Sequence, residues 1–245
     1  MDEMQRRVIN VCLLTFSLIV FSLESWATNL VPHTATYSAK IKSGISITGK
    51  AVRKLSKSKN GRWLYRFNVE SFVADIYEST TLDWLDDQVV PYKYKYKLSI
   101  FLAKDRKRQV NFDWIKRQAI NPLKKKGWTI NDITNNTFDR LSYQLQLGMD
   151  LQAGKKDMFY QLAHKGRLRE SHFRVMGEEF IDSKLGRVES IIVKKIRNKG
   201  NKRQTELWFT KKHPLLLLKM TQIEKDGEQY EINLESAVID GNAIH

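Results

Sequence analysis

The stretch Pro91–Ile100, PYKYKYKLSI, alternates tyrosine with lysine and then continues with leucine and isoleucine on either side of a serine. Successive side chains of a β-strand point to opposite faces, so a period of two indicates a strand with one apolar and one polar face. We therefore expect the lysines to face water, where they would also discourage pairing with another sheet edge. The expected inward face is one continuous row, formed by Tyr92, Tyr94, Tyr96, Leu98 and Ile100.

The same period recurs through most of the chain after Thr34. Alternation of apolar and polar residues in Trp63–Val73, Val110–Trp114 and Tyr230–Val238 indicates further half-buried strands. Turn-forming sequences separate the strands, namely Lys59–Gly61, His164–Gly166, Asn198–Asn201 and Asp226–Gly227. This pattern predicts a long antiparallel meander of about ten to twelve strands.

One segment between Asn136 and Gly154 departs from this period. Its apolar residues recur at the spacing of one helix face, at Phe138, Leu141, Leu145 and Met149. We expect a helix over residues 138–151, with Asn136 as its N-cap and Gly154 closing it. A single helix in a chain of strands usually covers or plugs one face of a curved sheet. The predicted fold class is therefore mainly β, a long antiparallel meander that forms a curved sheet or open half-barrel with one covering helix.

The N-terminus has the features of a Sec-type signal peptide. Arg6 and Arg7 precede the apolar run Val8–Leu23, and Ser25 and Ala27 are small residues at the positions that signal peptidase reads. The apolar run is shorter than the roughly 20 residues that a helix needs to cross a bilayer. We therefore expect cleavage after residue 27 in preference to an uncleaved membrane anchor.

Export has consequences for the chemistry of the mature chain. Cys12 is the only cysteine and lies inside the apolar run, so the mature chain would have no thiol for a disulfide, a nucleophile or a metal site. The absence of cysteine suits an oxidising compartment. We expect a periplasmic protein with one β-rich domain over residues 28–245 and no transmembrane span after cleavage.

The chain is strongly basic, with 42 lysines and arginines against 27 aspartates and glutamates and a formal net charge of +15. Such a charge attracts polyanions and anionic membrane surfaces. Nucleic acid would be the first candidate partner inside a cell, but an exported protein does not encounter it. The remaining candidates are anionic lipid, lipopolysaccharide and acidic glycan. The alternative is that the charge only serves solubility.

Known catalytic and cofactor motifs are absent. The segment Gly44–Ala51 resembles a phosphate-binding loop except at its last position, where Ala51 replaces the hydroxyl residue that holds magnesium. The five histidines lack metal-ligand spacing, and the mature chain has no Gly-x-Ser-x-Gly elbow. The sequence thus predicts no catalytic residue, no metal and no cofactor. It does not exclude two carboxylates brought together by the fold, as in a glycosidase.

The aromatic residues, 11% of the chain, either form the core of a curved sheet or line a cavity for a lipid chain or a sugar. Two successive basic strands that we expect to pair carry the candidate charge contacts. The candidate ligand site consists of Lys93, Lys95, Lys97, Arg106, Lys107 and Arg108 for charge, with Tyr94, Tyr96 and Trp114 for aromatic contact.

Several motifs follow one another along the chain: Ile41–Ala51, Val90–Tyr94, Phe138–Ser142, Val175–Glu179, Leu185–Ser190, Thr205–Thr210 and His213–Leu215. The order of these motifs over residues 34–238 resembles that of the exported bacterial family called domain of unknown function 3108 (DUF3108). The resemblance implies a mostly antiparallel β-fold behind a signal peptide, without an established activity. The architecture is similar, as a fold-level analogy, to the open half-barrels of lipoprotein-localisation carriers, in which a curved sheet with a helical cover holds acyl chains.

Three hypotheses for function follow. The preferred one is a non-enzymatic periplasmic binding protein that engages an anionic envelope lipid or acidic glycan through an aromatic-lined concavity with a basic rim. The second is an envelope scaffold or assembly factor that binds another protein through a sheet edge. The third is a hydrolase or lyase acting on an acidic polysaccharide. Catalysis stays open at this point, and the sequence favours binding.

Overall fold

The computed structural model describes residues 29–43, 45–123, 127–197, 200 and 202–244. The expected signal peptide and most of the expected turn at 198–201 lie outside these residues. Within them, the chain forms sixteen strands and one helix. The strands are β1 (His33–Ser43), β2 (Ile45–Lys57), β3 (Trp63–Ser71), β4 (Ala74–Leu85), β5 (Gln88–Ile100), β6 (Arg106–Asp113), β7 (Gln118–Asn121), β8 (Trp128–Ile130), β9 (Thr137–Phe138), β10 (Asp157–His164), β11 (Arg167–Ser183), β12 (Gly186–Ile196), β13 (Gln204–Thr210), β14 (Leu217–Ile223), β15 (Gln229–Ile239) and β16 (Asn242–Ile244), and the helix is α1 (Ser142–Gln152).

The strands form one sheet, as the alternating pattern predicts. Its order is β8-β7-β6-β5-β4-β3-β2-β1-β15-β14-β13-β12-β11-β10-β9, with β16 paired to β15. Neighbours run antiparallel except β9 and β10, which are parallel. The number of strands exceeds the expected ten to twelve because β7, β8, β9 and β16 have only two to four residues. Strands this short do not show a recognisable period.

The sheet curls without closing into a barrel. Its edge strands β8 and β9 are consecutive in the chain and are joined by residues 131–136. A Cβ built on Gly166, in the β10–β11 turn, would lie 3.3 Å from the Cβ of Trp128 in β8. This close approach shows that the two ends of the strand order come near each other, and the result is the open half-barrel that we expected.

The connections between strands fall alternately at two ends of the half-barrel, because neighbouring strands are antiparallel. We call the end that carries the β3–β4, β5–β6, β10–β11, β12–β13 and β14–β15 connections the upper end. The opposite, lower end carries the β4–β5, β6–β7, β11–β12 and β13–β14 connections.

A β-bulge interrupts the tyrosine row of β5. Thr81 of β4 pairs with Lys93, but the next residue of β4, Leu82, pairs with Pro91, so Tyr92 is an extra residue on β5. Pro91 is buried below the bulge and Tyr94 is buried above it. The prediction of one continuous inward face is therefore wrong for Tyr92.

The ring of Tyr92 instead contacts a charged neighbour. Its centroid lies 3.9 Å from the guanidinium carbon of Arg62, which also forms an ion pair of 3.6 Å with Asp83. A bulge changes the face of one side chain while the amino-acid alternation continues unbroken, so the local sequence carries no sign of it.

Helix α1 begins at Ser142, four residues later than expected. Phe138 belongs to β9, which pairs with Gln161 and Leu162 of β10. It is therefore part of the sheet, although its spacing predicted that it belongs to α1. Asn136 is not the N-cap: Leu141 precedes the first helical residue without a side-chain capping bond, and Asp139 holds the turn that leads into the helix. Its Oδ1 accepts hydrogen bonds of 2.8 Å from the backbone N–H groups of Leu141 and Ser142.

The C-terminal end of α1 agrees with the prediction. The helix ends at Gln152, and Gly154 follows in the left-handed conformation, with φ of +78°. A glycine adopts this conformation without the steric cost that a side chain would bring.

The helix plugs the lower half of the half-barrel and is tied to both halves of the sheet. The side chain of Gln146 accepts a 2.7 Å hydrogen bond from the backbone N–H of Val89 in β5. Asp150 accepts a 2.7 Å hydrogen bond from the hydroxyl of Tyr160 in β10. Gly148 lies against the β13–β14 connection, where a Cβ would come within 2.9 Å of the carbonyl oxygen of Pro214. The core therefore fills the space between α1 and the concave face of the sheet.

No helix among the described residues is both long enough and apolar enough to span a membrane.

Candidate functional site, a cavity with a basic mouth

The candidate residues on β5 and β6 are divided between two faces of the sheet. The two strands pair as expected, with Lys97 opposite Lys107 and Tyr96 opposite Arg108. Directly opposite residues share a face. The outer face therefore carries a row of four lysines, Lys93, Lys95, Lys97 and Lys107, while Arg106 and Arg108 lie on the face of Tyr94 and Tyr96.

The aromatic candidates have structural contacts of their own. Tyr94 is buried, and its hydroxyl donates a hydrogen bond to Glu78. The guanidinium carbon of Arg108 lies 5.1 Å from the ring centroid of Tyr96. Trp114 lies at the lower end, where it stacks on Phe112 at 5.8 Å. The structure thus does not gather the nine candidates into a single site.

A different set of residues lines a cavity above helix α1. The cavity has a volume of about 170 Å³ and lies between the helix and strands β10–β14. Its apolar wall consists of Leu147, Leu162, Phe173, Leu207, Phe209, Leu217 and Met220. An apolar cavity of about 150 Å³ is large enough for a benzene ring. The space therefore suits one ring or one segment of an alkyl chain.

Five basic side chains line the same cavity and its opening, and we call them the basic mouth: Arg53, Arg140, Lys195, Arg197 and Arg203. The mouth continues into an open cleft of about 460 Å³ that also includes His164 and Arg169. The cleft is bordered by the β10–β11 and β12–β13 connections, so the cavity opens toward the upper end.

Arg53 is the most deeply buried member of the basic mouth, with 6% of its surface exposed. Its Nη2 donates a 2.8 Å hydrogen bond to Oε1 of Gln144, and its guanidinium carbon lies 5.1 Å from the ring centroid of Phe67. Its Nε has no partner among the described residues, and no described carboxylate forms an ion pair with it. A buried cation is normally paired. The hydrogen-bond partners of Arg53, Gln144 and Tyr65, are uncharged, and the buried carboxyl of Glu78 interacts with it only beyond ion-pair distance.

Lys195 extends the positive charge along β12. Its Nζ donates a 2.9 Å hydrogen bond to Ser171 and lies 5.1 Å from the ring centroid of Phe173. Burial lowers the pKa of Lys195 to about 8, and the nearby arginines Arg197, Arg203 and Arg140 lower it further in the same direction. An ammonium group loses its proton more easily where cations surround it, so the part of the decrease in pKa that the arginines cause, smaller than the part due to burial, reflects a positive potential.

His164, in the cleft, experiences the same potential. Burial is the main reason that its pKa falls to about 4, and the charges of Arg140, Arg108 and Arg169 add to the decrease. Among the described residues, Arg203 is the member of the basic mouth that forms an ion pair, at 2.7 Å with Glu224. The other four cations of the basic mouth form no ion pair with a described carboxylate, and Glu78 interacts with Arg53 and Arg140 at longer range.

This arrangement has the chemistry of an anion site beside an apolar cavity. Arginine and lysine donate charge-assisted hydrogen bonds to carboxylate or phosphate oxygens. The described residues contain no group of three His, Cys, Asp or Glu side chains placed to hold a metal ion.

The sequence contained a signal for two members of the basic mouth. Arg53 stands between Ala51 and Leu55 on the apolar face of β2, and Lys195 continues the inward row of Val193 on β12. A charge in the apolar row of a strand is unusual. That row does not show, however, which distant strands come together around it.

Comparisons with known proteins agree with this fold. The family model described as "Protein of unknown function (DUF3108)" matches residues 35–235. No curated protein matches the chain. The chain is similar to the crystal structure of a "Beta-barrel-like Protein of Domain of Unknown Function DUF1849" from Brucella abortus, with a TM-score of 0.58 and 16% identity over 87% of this chain and 99% of that one. At this identity the likeness concerns the fold alone.

Two further solved structures match with much lower TM-scores. The MucA/MucB complex structure of Pseudomonas aeruginosa has a TM-score of 0.32 and 10% identity, over 85% of this chain and 51% of that one. A DUF1329 family protein from Desulfovibrio piger has a TM-score of 0.25 and 11% identity, over 85% of each chain.

Proposed function

Since the chain belongs to the DUF3108 family, whose function is unknown, its activity has to be argued from its own residues, and we propose that it is a non-enzymatic binding protein for an anionic amphiphile. The ligand's acidic head would lie among the side chains of the basic mouth, and one apolar group would enter the cavity above α1. The N-terminal sequence supports a periplasmic location, and an envelope lipid or lipopolysaccharide has the required chemistry.

The observation that carries the proposal is Arg53. The guanidinium is buried among tyrosine and phenylalanine rings, and Gln144 is its neutral hydrogen-bond partner. Burying a charge without a carboxylate at ion-pair distance is costly. Glu78 interacts with Arg53 only at longer range, and Arg140, Lys195 and Arg197 lie around the same opening. A bound phosphate or carboxylate would reduce this cost by supplying the missing negative charge.

The apolar wall favours an amphiphile over an acidic glycan. A sugar carries hydroxyl groups on most of its carbons, and each hydroxyl that enters an apolar space without a partner costs free energy. Seven lining side chains are leucine, phenylalanine or methionine, while Tyr143, Gln144, Thr205 and Gln222 add polar groups at the sides of the cavity. An alkyl segment gains free energy there, at roughly 25 cal/mol for each Å² of apolar surface removed from water.

The structure gives less support to an assembly factor that binds a partner strand at a sheet edge. The edge strands β8 and β9 have three and two residues. Addition of a strand depends on a row of free backbone hydrogen-bonding groups. The terminal strands offer few of them, so a partner strand would have to pair with Arg106–Val110 of β6, which β7 leaves uncovered.

Calorimetric titration with dodecyl phosphate tests the proposal. We expect binding of dodecyl phosphate, about ten-fold or more weaker binding of ethyl phosphate, which lacks the chain, and weak binding of dodecyl maltoside, which lacks the charge. Lys195→Gln and Arg53→Met should each weaken dodecyl phosphate binding by about ten-fold.

Lys95→Gln is the matched control, since it removes one positive charge from the outer row of β5, away from the cavity. Equal losses in Lys95→Gln and Lys195→Gln would mean that the protein attracts anions through its overall charge, and would contradict the proposed site. Equal affinities for ethyl and dodecyl phosphate would contradict the role of the apolar cavity.

A further inference from the structure

Four apolar side chains are exposed at the upper end, on two neighbouring connections. Phe72 is 96% exposed and Val73 39% exposed in the β3–β4 connection, and Phe101 is 73% and Leu102 92% exposed in the β5–β6 connection. The backbone N–H of Phe101 donates a 3.1 Å hydrogen bond to the carbonyl oxygen of Val73, so the two connections lie side by side. We call these four residues the apolar tip.

The exposure of the apolar tip is not a consequence of ordinary turn chemistry. Leu102 has φ of +56°, a left-handed conformation that a bulky side chain adopts only at a cost. Glycine or asparagine is the usual choice at such a position. The chain therefore presents a large apolar side chain to solvent where a small polar residue would be more stable.

Basic residues surround the apolar tip. Lys104, Arg106 and Lys107 are exposed in and directly after the β5–β6 connection. Lys97 lies opposite Lys107, and the acidic residue of the same connection, Asp105, forms a 3.2 Å ion pair with Lys97. Two further carboxylates flank the β3–β4 connection, Asp75 in β4 and Glu70, which lies opposite Lys50. Five cations among three carboxylates leave this collar positively charged.

An apolar protrusion inside a cationic collar has the chemistry of a membrane-docking surface. Aromatic and aliphatic side chains enter the boundary between headgroups and acyl chains, while lysine and arginine contact anionic headgroups. A groove on a protein partner would also cover apolar residues, but the collar adds charge complementarity to an anionic surface, and protruding turns suit a surface that they can penetrate.

We propose that the apolar tip inserts into the interfacial layer of an anionic lipid bilayer and that the basic collar binds its headgroups. The tip and the opening of the cavity both lie at the upper end, so docking would turn the basic mouth toward the membrane. The docking surface lies outside the cavity, and its existence does not depend on the proposed ligand of the cavity.

Co-sedimentation with lipid vesicles tests the docking surface. We expect the full chain to bind vesicles of phosphatidylglycerol and phosphatidylethanolamine, with weaker binding at high salt. The double variant Phe72→Ser/Leu102→Ser should bind about ten-fold or more weakly. Both side chains are over 90% exposed, so neither substitution removes a core contact.

Ile115→Ser is the matched control, because Ile115 is 97% exposed in the β6–β7 connection at the lower end. It should bind vesicles as the unchanged protein does, and the shared N-terminus makes the comparison independent of residues 1–27. Equal binding by the double variant and the control would overturn the proposal, even if both bind strongly through charge.

A second measurement reports insertion directly. Cys12 is the only cysteine, so a Cys12→Ser background allows an environment-sensitive nitrobenzoxadiazole label to be attached at Leu102→Cys or at Ile115→Cys. We expect anionic vesicles to shift the emission of the label at position 102 to the blue and to leave the label at position 115 unchanged. The same response at both positions, or none at 102, would overturn insertion of the tip.

The two proposals fail separately. Arg53→Met should weaken dodecyl phosphate binding about ten-fold and keep vesicle binding, and Phe72→Ser/Leu102→Ser should weaken vesicle binding about ten-fold and keep dodecyl phosphate binding. If Arg53→Met and the tip variant lose vesicle binding equally, membrane attachment occurs through the basic mouth and the proposed docking surface is wrong.

Discussion

The guanidinium of Arg53 on β2 donates a 2.8 Å hydrogen bond to Oε1 of Gln144 on α1. The bond joins the N-terminal half of the sheet to the helix that plugs the half-barrel, and it forms one side of the cavity. The arginine is thus a structural link and, in our proposal, part of the anion site.

A double-mutant cycle should separate the structural part of this link. Gln144→Leu leaves a buried guanidinium without its acceptor, and we expect it to lower the free energy of unfolding by about 1–3 kcal/mol. Arg53→Met/Gln144→Leu removes both partners and should be closer in stability to the unchanged protein, since apolar replacement of a buried polar pair is often neutral. Urea unfolding of the two single variants and the double variant provides the comparison. Additive losses would show that the bond is energetically unimportant.

The pKa of Lys195, which burial and the adjacent arginines lower to about 8, predicts pH-dependent ligand binding. The ammonium form is needed to hold an anion, so the affinity for dodecyl phosphate should fall as the pH rises through about 8. In Lys195→Met this decrease should be absent. Calorimetry from pH 6 to pH 9 would reveal it, and an unchanged pH profile in Lys195→Met would exclude the assignment.

The same lysine should also make stability depend on pH, in the opposite direction to ligand affinity. Its pKa is lower in the folded chain than the ordinary value of 10.5, so the unfolded chain binds more protons between these two pH values. The contribution of Lys195 to the free energy of unfolding therefore rises with pH across that window. Lys195→Met should flatten the rise, and chemical unfolding at several alkaline pH values measures it.

His33 should make the protein sensitive to acid. It is 2% exposed, its Nδ1 lies 3.2 Å from the carbonyl oxygen of Val31, and burial lowers its pKa from 6.5 to about 4. Because the unfolded chain binds the proton more readily, stability should fall as the pH decreases through this range. We expect the thermal unfolding temperature of His33→Phe to fall less steeply as the pH decreases. Some decrease should persist in this variant because the pKa of His164 is lowered as well.

Asp139 should be essential to the start of helix α1. Besides its two backbone hydrogen bonds, it accepts a 2.8 Å hydrogen bond from the hydroxyl of Thr80, and it is fully buried. Asp139→Ala leaves these donors without an acceptor and should lower the free energy of unfolding by about 2–4 kcal/mol. Asp182→Ala, at an exposed position in β11, is the control and should change stability little. If both variants lose similar stability, the cause is the removal of a negative charge and not the loss of the hydrogen bonds that Asp139 accepts.

Much of the fold could be predicted from local patterns. The alternation in β3, β5 and β15 arises because each half-buried strand must place apolar residues on one face, and that requirement is visible in consecutive residues. Gly154 marks the end of α1 for an equally local reason, its left-handed backbone. The start of α1 was misplaced because Phe138 satisfies the helical spacing and a strand contact equally well.

The location of the site could not be predicted in the same way. The lysines and tyrosines of Pro91–Ile100 attracted the first hypothesis because their pattern is continuous in sequence, but a strand divides such a pattern between two faces. Arg53, Arg140 and Lys195 are far apart in the chain and meet only because β2, the segment before α1 and β12 surround one cavity.

By itself, then, the sequence determined that the chain forms an antiparallel sheet with one helix, because strand and helix periods are set by neighbouring residues. The tertiary structure alone decided that Tyr92 leaves the inward row, that Thr80 holds Asp139 in the turn before the helix, and that five basic side chains gather above the cavity. The bulge and the cluster depend on contacts between residues distant in the chain, as does the hydrogen bond from Thr80 that holds Asp139, and these contacts leave no period in the sequence.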